Sequence, residues 1–371
     1  MIFLVVIGLL TPLAYAQYSN EIILLFENAQ DFIKNKQYES AIVELDKILE
    51  IDSQNIQALN EKGNTRLMQG KYVKALQNFE KALDIQPKNI DSLNGKGLSH
   101  YHLNQYETSL ELFNLVLRMD RTNTSALIGS GNVMMKEQQY DDALLFFNIV
   151  LEKEPNNISA LIAKATILSI MNQYQESLDL LDVVLSQDSD NLEALNEKGK
   201  VYLDLEEYVL SRDAFTEVLE LDENNITAII GLAELNSNEG KNIKAEQLYD
   251  KVLSLDPDNL EGLIGKANIL TNLGKNEEAL RYFDEALEVD SDNLEASNGR
   301  DSVLENEVSQ SLDLILIITI LGSITSVISL IVVLLKIKEN RKLQEKVLIA
   351  DEQIEELVDK FMKSQVKKPS N

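Results

Sequence analysis

Apolar residues recur along this chain at helical spacing, in short blocks separated by polar turn clusters. In one such stretch Leu59 and Gly63 fall one turn apart on a single face, and Ala75, Phe79 and Ala82 mark a second face just downstream. The pattern predicts two amphipathic helices, over 56–69 and 72–85, joined by a tight turn. Small residues where the two cross let their backbones approach, and Phe79 is expected to fill the space between layers.

The same pattern returns every 34 residues. That shift superimposes Gly63, Gly97, Gly131, Ala165, Gly199, Ala233 and Ala267, and aligns Tyr38, Tyr72, Tyr106, Tyr140, Tyr174 and Tyr208. It also aligns Leu45, Phe79, Phe113, Phe147, Leu181, Phe215, Tyr249 and Phe283. Asn55, Asn89, Asn123, Asn157, Asn191, Asn225, Asn259 and Asn293 close eight units over 22–293 without a gap. One helix pair cannot bury both of its faces, so neighbouring units must stack.

These residues resemble the tetratricopeptide repeat family. The family's small eighth residue is present throughout. Its small twentieth residue is Ala41, Ala75, Ser109, Ala143, Ser177, Ser211, Ala245 and Ala279, and its late Pro survives as Pro87, Pro155 and Pro257. Leu or Ile (Leu25, Leu59, Leu93, Leu127, Leu161, Leu195, Ile229, Leu263) replaces its fourth-position Trp. The resemblance implies an all-α fold, a right-handed α-solenoid of eight 34-residue helix-turn-helix repeats. It also implies a concave wall that binds other proteins or extended peptides. The wall positions of the family include Asn60, Asn64, Asn94, Asn132, Asn196, Lys200, Asn268 and Asn272 here. Asn60/Asn64 and Asn196/Lys200 are four apart and share a face. An amide both donates and accepts, so a ladder of Asn can hold a peptide backbone without reading its side chains. The family variant that clamps a terminal carboxylate carries Lys at the fifth position. Asn60, Asn94 and Asn196 stand there instead, so that partner class is not expected.

The two ends read differently. Leu314 to Leu335 are 22 uncharged residues bounded by Asp313 and Lys336. At 1.5 Å per residue they reach about 33 Å, enough for a hydrocarbon core of about 30 Å, so one transmembrane helix is expected over 313–335. Lys336, Lys338, Arg341, Lys342 and Lys346 follow it and place 336–371 in the cytoplasm. Residues 1–16 are apolar and end in Ala14-Tyr15-Ala16, the form of a signal peptide cleaved after Ala16. Residues 17–21 are a lead-in. Residues 294–312 begin a ninth first helix and turn polar at Ser297, Asn298, Arg300 and Asp301, as a solvating cap and membrane link would. The repeats are then expected outside the cell membrane.

Charge narrows the chemistry. Acids outnumber bases 61 to 34, a net −27, which argues against nucleic acid as a partner. There is no Cys, so disulfides and thiolate chemistry are excluded. The two His, His100 and His102, point about 200° apart on a helix and cannot chelate one ion. No phosphate loop, dinucleotide fingerprint or nucleophile elbow is present. No metal, cofactor or catalytic centre is expected, and the chain reads as a non-enzyme.

Three further patterns carry specific expectations. Asp190, Asp258 and Asp292 stand three before Glu193, Glu261 and Glu295, which predicts capping boxes with Asp at the N-cap. Asn123, Asn157 and Asn225 open N-x-[ST] sequons, glycosylation candidates if the repeats are external. Thr319, Gly322, Ser326 and Ser329 form a narrow face in the apolar segment. Its register continues into Asn340, Leu343, Val347, Ile354 and Leu357, a heptad seam for a parallel homodimer. The rival for that tail is an amphipathic helix lying on the inner leaflet. The functional expectation is a membrane-tethered protein-interaction scaffold. The alternative is an accessory subunit of an envelope enzyme complex, in glycan processing or secretion.

Overall fold

A computed structural model of the chain describes residues 20–321, 333–345, 348, 351–353 and 355–356. Every regular element among the described residues is a helix. A helix over 20–34 (α1) precedes α2 (Tyr38–Ile51), α3 (Ile56–Met68), α4 (Tyr72–Ile85), α5 (Ile90–His102) and α6 (Tyr106–Met119). There follow α7 (Thr124–Lys136), α8 (Tyr140–Lys153), α9 (Ile158–Ile170), α10 (Tyr174–Gln187), α11 (Leu192–Asp204) and α12 (Tyr208–Leu221). The series ends with α13 (Ile226–Asn238), α14 (Asn242–Leu255), α15 (Leu260–Asn272), α16 (Asn276–Val289) and α17 (Leu294–Leu321). From α3 to α16 a 13-residue first helix alternates with a 14-residue second helix. The sequence period is therefore the period of the helix pairs. The chain divides into two compact bodies, one ending at Leu235 and one beginning at Asn236.

In the first body each layer is filled by one large side chain from a second helix. Leu45, Phe79, Phe113, Phe147, Leu181 and Phe215 are all fully buried. Burying a side chain of this size contributes about 1.5–3 kcal/mol, so these fillers are the main apolar cement between layers. Where the small residue at the helix crossing is Ser, its hydroxyl turns back to a carbonyl. Ser109 donates to the Gly97 carbonyl at 2.8 Å, and Ser211 to that of Gly199 at 2.9 Å. The second body repeats the plan, with Tyr249 and Phe283 as fillers.

Charged pairs spaced 16 residues apart join neighbouring repeats along one edge. Lys62 pairs with Asp46, Lys96 with Glu80 at 3.2 Å, and Lys198 with Asp182 at 2.5 Å. In the second body Lys266 pairs with Asp250. Burial opposes the charge of Lys266, but hydrogen bonds to Asp250 and the Tyr282 hydroxyl outweigh it and raise its pKa.

The helix starts differ from the capping-box expectation. The N-cap is Asn, one residue after the predicted Asp. Asn191 Oδ1 accepts from the Ala194 amide at 3.0 Å, and Asn259 and Asn293 do the same for Gly262 and Ala296. Asp190, Asp258 and Asp292 lie outside the helices they precede. The reason is that an Asn amide serves two partners at once: its Oδ1 caps, while Asn191 Nδ2 donates back to Asp188 at 3.0 Å. A carboxylate has no donor for the second bond.

The turn within each pair needs one residue at positive φ. It is Lys36, Gly70, Asn104, Gln138, Asn172, Glu206, Gly240 or Gly274, at one position of each repeat. Each is the αL residue that ends a helix, a place where Gly and Asn carry least strain.

At the C-terminal end α17 runs unbroken from Leu294 to Leu321, so the expected cap and the first part of the apolar segment are one helix with no link at 312. Among the described residues no helix is long and apolar enough to cross a membrane. The middle of the expected span, 322–332, and residues 1–19 lie outside the described residues.

Candidate functional site

In the first body the first helices α3, α5, α7, α9 and α11 touch one another in succession, while among the described residues successive second helices make no comparable contact. Elements that touch on one side and splay on the other place the first helices on the inner wall. The wall positions implied by the sequence do lie on these helices, but they divide into two sets.

Asn60, Asn94 and Asn196 are buried, with 6–8% of their surface exposed. Each donates from Nδ2 to the Oδ1 of the next repeat's capping Asn: Asn60 to Asn89 at 3.1 Å, Asn94 to Asn123 at 3.0 Å, Asn196 to Asn225 at 3.2 Å. That acceptor already holds a backbone N–H, so it must be the oxygen, and the orientation of all three donors follows. These Asn tie repeat to repeat. Both polar atoms of Asn60 have a partner, because Ser92 Oγ donates to its Oδ1 at 2.6 Å. Ala126 and Ala228 occupy the position of Ser92 in the other two cases, and the Oδ1 of Asn94 and of Asn196 is buried without a partner.

Asn64 and Lys200 are exposed and Asn132 is half-buried. In the second body Asn268 and Asn272 are exposed on α15. These are the members of the predicted ladder whose side chains face solvent.

Sequence reasoning missed the carboxylates of the wall. Glu61 is half-buried on α3, and burial and then the charge of Asp91 raise its pKa. Farther along, Glu197 accepts from Thr166 Oγ1 at 3.1 Å and from Lys200 Nζ at 3.2 Å. Beside it, partial burial and then the Glu197 charge raise Glu193 and Asp204, with Lys200 opposing. The signal was present in the sequence, since Glu61 and Glu197 occupy the same repeat position, but 61 acids hid it.

Residues 56–89, 192–225 and 238–299 match family models described as tetratricopeptide repeat. This chain carries tetratricopeptide repeats. No curated protein matches the sequence. Among solved structures, the tetratricopeptide fold here is similar to that of the APC/C hetero-tetramer Cut9-Hcn1, at TM-score 0.62 and 16% identity. That match covers 76% of this chain and only 55% of the other. Yeast Tom70 matches at TM-score 0.52 and 19% identity, over 79% of this chain and 65% of that one. A tetratricopeptide repeat protein from Parabacteroides merdae matches at TM-score 0.51 and 20% identity, over 64% and 94%. At these identities the likeness is one of fold.

Asn123, Asn157 and Asn225 are half-buried helix caps. The Nδ2 of Asn157, the atom a glycan would take, donates to Glu154 at 2.9 Å. The repeat needs these Asn for its turns whatever follows them. Asn340 and Leu343 lie on an exposed helical stretch over 333–345, and Gly322, Ser326, Val347, Ile354 and Leu357 lie outside the described residues. Among the described residues no cluster of ligating side chains is arranged to hold a metal.

Proposed function

We propose that this protein is a protein-interaction scaffold whose inner wall of first helices holds extended segments of its partners. The observation that carries this is the division of the wall. Buried Asn bind repeat to repeat, while Asn64 faces an open cleft, and Asn132 and Lys200, the latter paired with Glu197, follow it along the first helices. In such a cleft main-chain groups of an extended segment find donors and acceptors, and its alternate side chains meet the wall. Asn64, Asn132 and Lys200 changed together to Ala should abolish most partner capture and shift the thermal melt by little, since each is a surface substitution of less than about 0.5 kcal/mol. Undiminished capture would place binding elsewhere.

The scaffold is tethered, on this reading, by the uncharged segment 314–335, with the repeats outside and the basic tail inside. The sequence supports this by length, absence of charge and the flanking Lys and Arg. The unbroken course of α17 into that segment is compatible with it. Protease added to sealed cells should then digest the repeats and spare the tail, and protection of the repeats would reverse the topology.

A further inference from the structure

At the junction of the second and third repeats the wall opens into a cleft of about 600 Å³. Its polar lining includes Asn60, Glu61, Asn64, Asp91 and Asn94, with Leu98 among the apolar part. The lining holds two carboxylates and no basic residue. Among the described residues neither Glu61 nor Asp91 has a cationic partner, and the two carboxylates repel each other.

A second and independent feature lies in the same lining. Asn94 is 8% exposed, and its Oδ1 has no hydrogen-bond partner. Its Nδ2 is held by Asn123, so the amide cannot turn to cure the defect. A buried acceptor left unpaired is costly, and a ligand that brings a donor recovers that cost.

The chain itself shows what is missing. Glu197 occupies in the sixth repeat the position that Glu61 occupies in the second. There the residue equivalent to Asn64 is Lys200, and its ammonium lies 3.2 Å from the Glu197 carboxylate. The second repeat has the acid without the base.

We infer that the cleft between Glu61, Asp91 and Asn94 receives a Lys or Arg side chain of the bound partner, so that the segments this scaffold holds are basic. An ammonium or guanidinium group offers positive charge to two carboxylates and N–H donors toward the amide oxygen. The net charge of −27 draws such segments in from a distance, and the cleft fixes where one of them seats. This inference rests on the inner-wall reading above and adds the chemistry of the partner.

The test uses the full chain in detergent and three labelled octapeptides, alternating Ser with Lys, Gln or Glu. The Lys peptide should bind, and the Gln and Glu peptides should bind at least tenfold more weakly. Glu61→Gln with Asp91→Asn should weaken the Lys peptide about tenfold or more. Glu107→Gln with Glu111→Gln, which removes the same charge from exposed positions on α6, should change it less than twofold. Equal losses in the two charge-matched variants, or equal binding of all three peptides, would overturn the inference. A photo-crosslinker at Asn64 or at Val73, on the exposed side of α4, separates the two levels of the account. Crosslinking from Asn64 with equal losses leaves the inner wall standing and rejects the basic pocket. Crosslinking from Val73 alone rejects both.

Discussion

Phe79 occupies the space that a side chain at Gly95 would need: its ring atom Cε1 lies 2.3 Å from where a Cβ on Gly95 would stand. The same ring lies 2.6 Å from the corresponding point on Gly63, so Phe79 is wedged between the first helices of its own and the next repeat. The relationship recurs 16 residues apart, as Phe113 with Gly129, Phe215 with Gly231, Tyr249 with Gly265 and Phe283 with Gly299. Where the filler is Leu45 or Leu181, the residue 16 farther on is Glu61 or Glu197. Volume is exchanged across the layer: Gly, or Ala163 opposite Phe147, faces an aromatic filler, and the shorter Leu leaves room for a carboxylate on the wall. Packing and groove charge are therefore set by the same pair of positions.

Gly95→Ala should destabilise the protein by about 1–3 kcal/mol, the usual cost of overpacking a closed layer. Phe79→Leu opens the layer and costs stability by itself, but in its background Gly95→Ala should be nearly neutral. Denaturant unfolding of the four proteins in this cycle measures the coupling. Additive losses would mean that ring and glycine do not compete for the same space.

Asn60 and Asn64 are one turn apart on α3 and should behave differently. Asn60→Ala removes one of the two acceptors of the Ser92 hydroxyl and the tie to Asn89, a loss of about 1–3 kcal/mol in thermal or denaturant melts. Asn64→Ala should leave the melt within about 0.5 kcal/mol. A melt unmoved by the change at Asn60 would show that its buried bonds do not hold the repeats together.

Most of the fold was legible in the sequence because a 34-residue period repeated eight times leaves few alternatives. Helix bounds, the layer fillers and the small residues at the crossings could be read from spacing alone. The wall was harder. Position in the repeat put Asn60, Asn94 and Asn196 there, but a position cannot tell an amide facing solvent from one that reaches 29 residues on to the next helix cap. The capping residue was missed by one place because Asp and Asn are both good caps. Only the second bond, from Asn191 back to Asp188, separates them. The pairs 16 residues apart, such as Lys198 with Asp182, are visible in the sequence once the fold is known, and among 26% charged residues not before.

Gln138 and Glu206 hold φ of 59° and 60° in turns where five other repeats use Gly or Asn and the first uses Lys36. Gln138→Gly and Glu206→Gly should each stabilise the protein by up to about 1 kcal/mol by removing left-handed strain. The midpoint of chemical denaturation reads this directly. A loss at both sites would mean that these side chains do more in the turn than carry its backbone.

The raised carboxyl of Glu61 gives stability a pH dependence of known sign. Its folded pKa lies above the unfolded value, so the ionised form disfavours the folded state, and the penalty lifts as pH falls through the folded pKa. Glu61→Gln should therefore raise the unfolding free energy at pH 7, by less than about 1 kcal/mol for a group that keeps contact with water. The difference from the unsubstituted protein should vanish once the pH has fallen below both the folded and the unfolded pKa. A substitution that helps equally at pH 7 and at that lower pH would act through something other than ionisation. The same change should weaken a basic ligand, so stability and binding pull against each other at this residue.

The central claim, that partners lie along the first helices, is tested most directly by photo-crosslinking in intact cells. A benzophenone side chain is placed at Asn64, Asn132 or Lys200 on the inner wall, or at the exposed Val73 or Val209 on second helices. The account predicts adducts of discrete mass from the inner set, absent from Val73 and Val209 and lost when an unlabelled Lys–Ser octapeptide competes. Adducts from Val73 or Val209 with none from the inner set would contradict it.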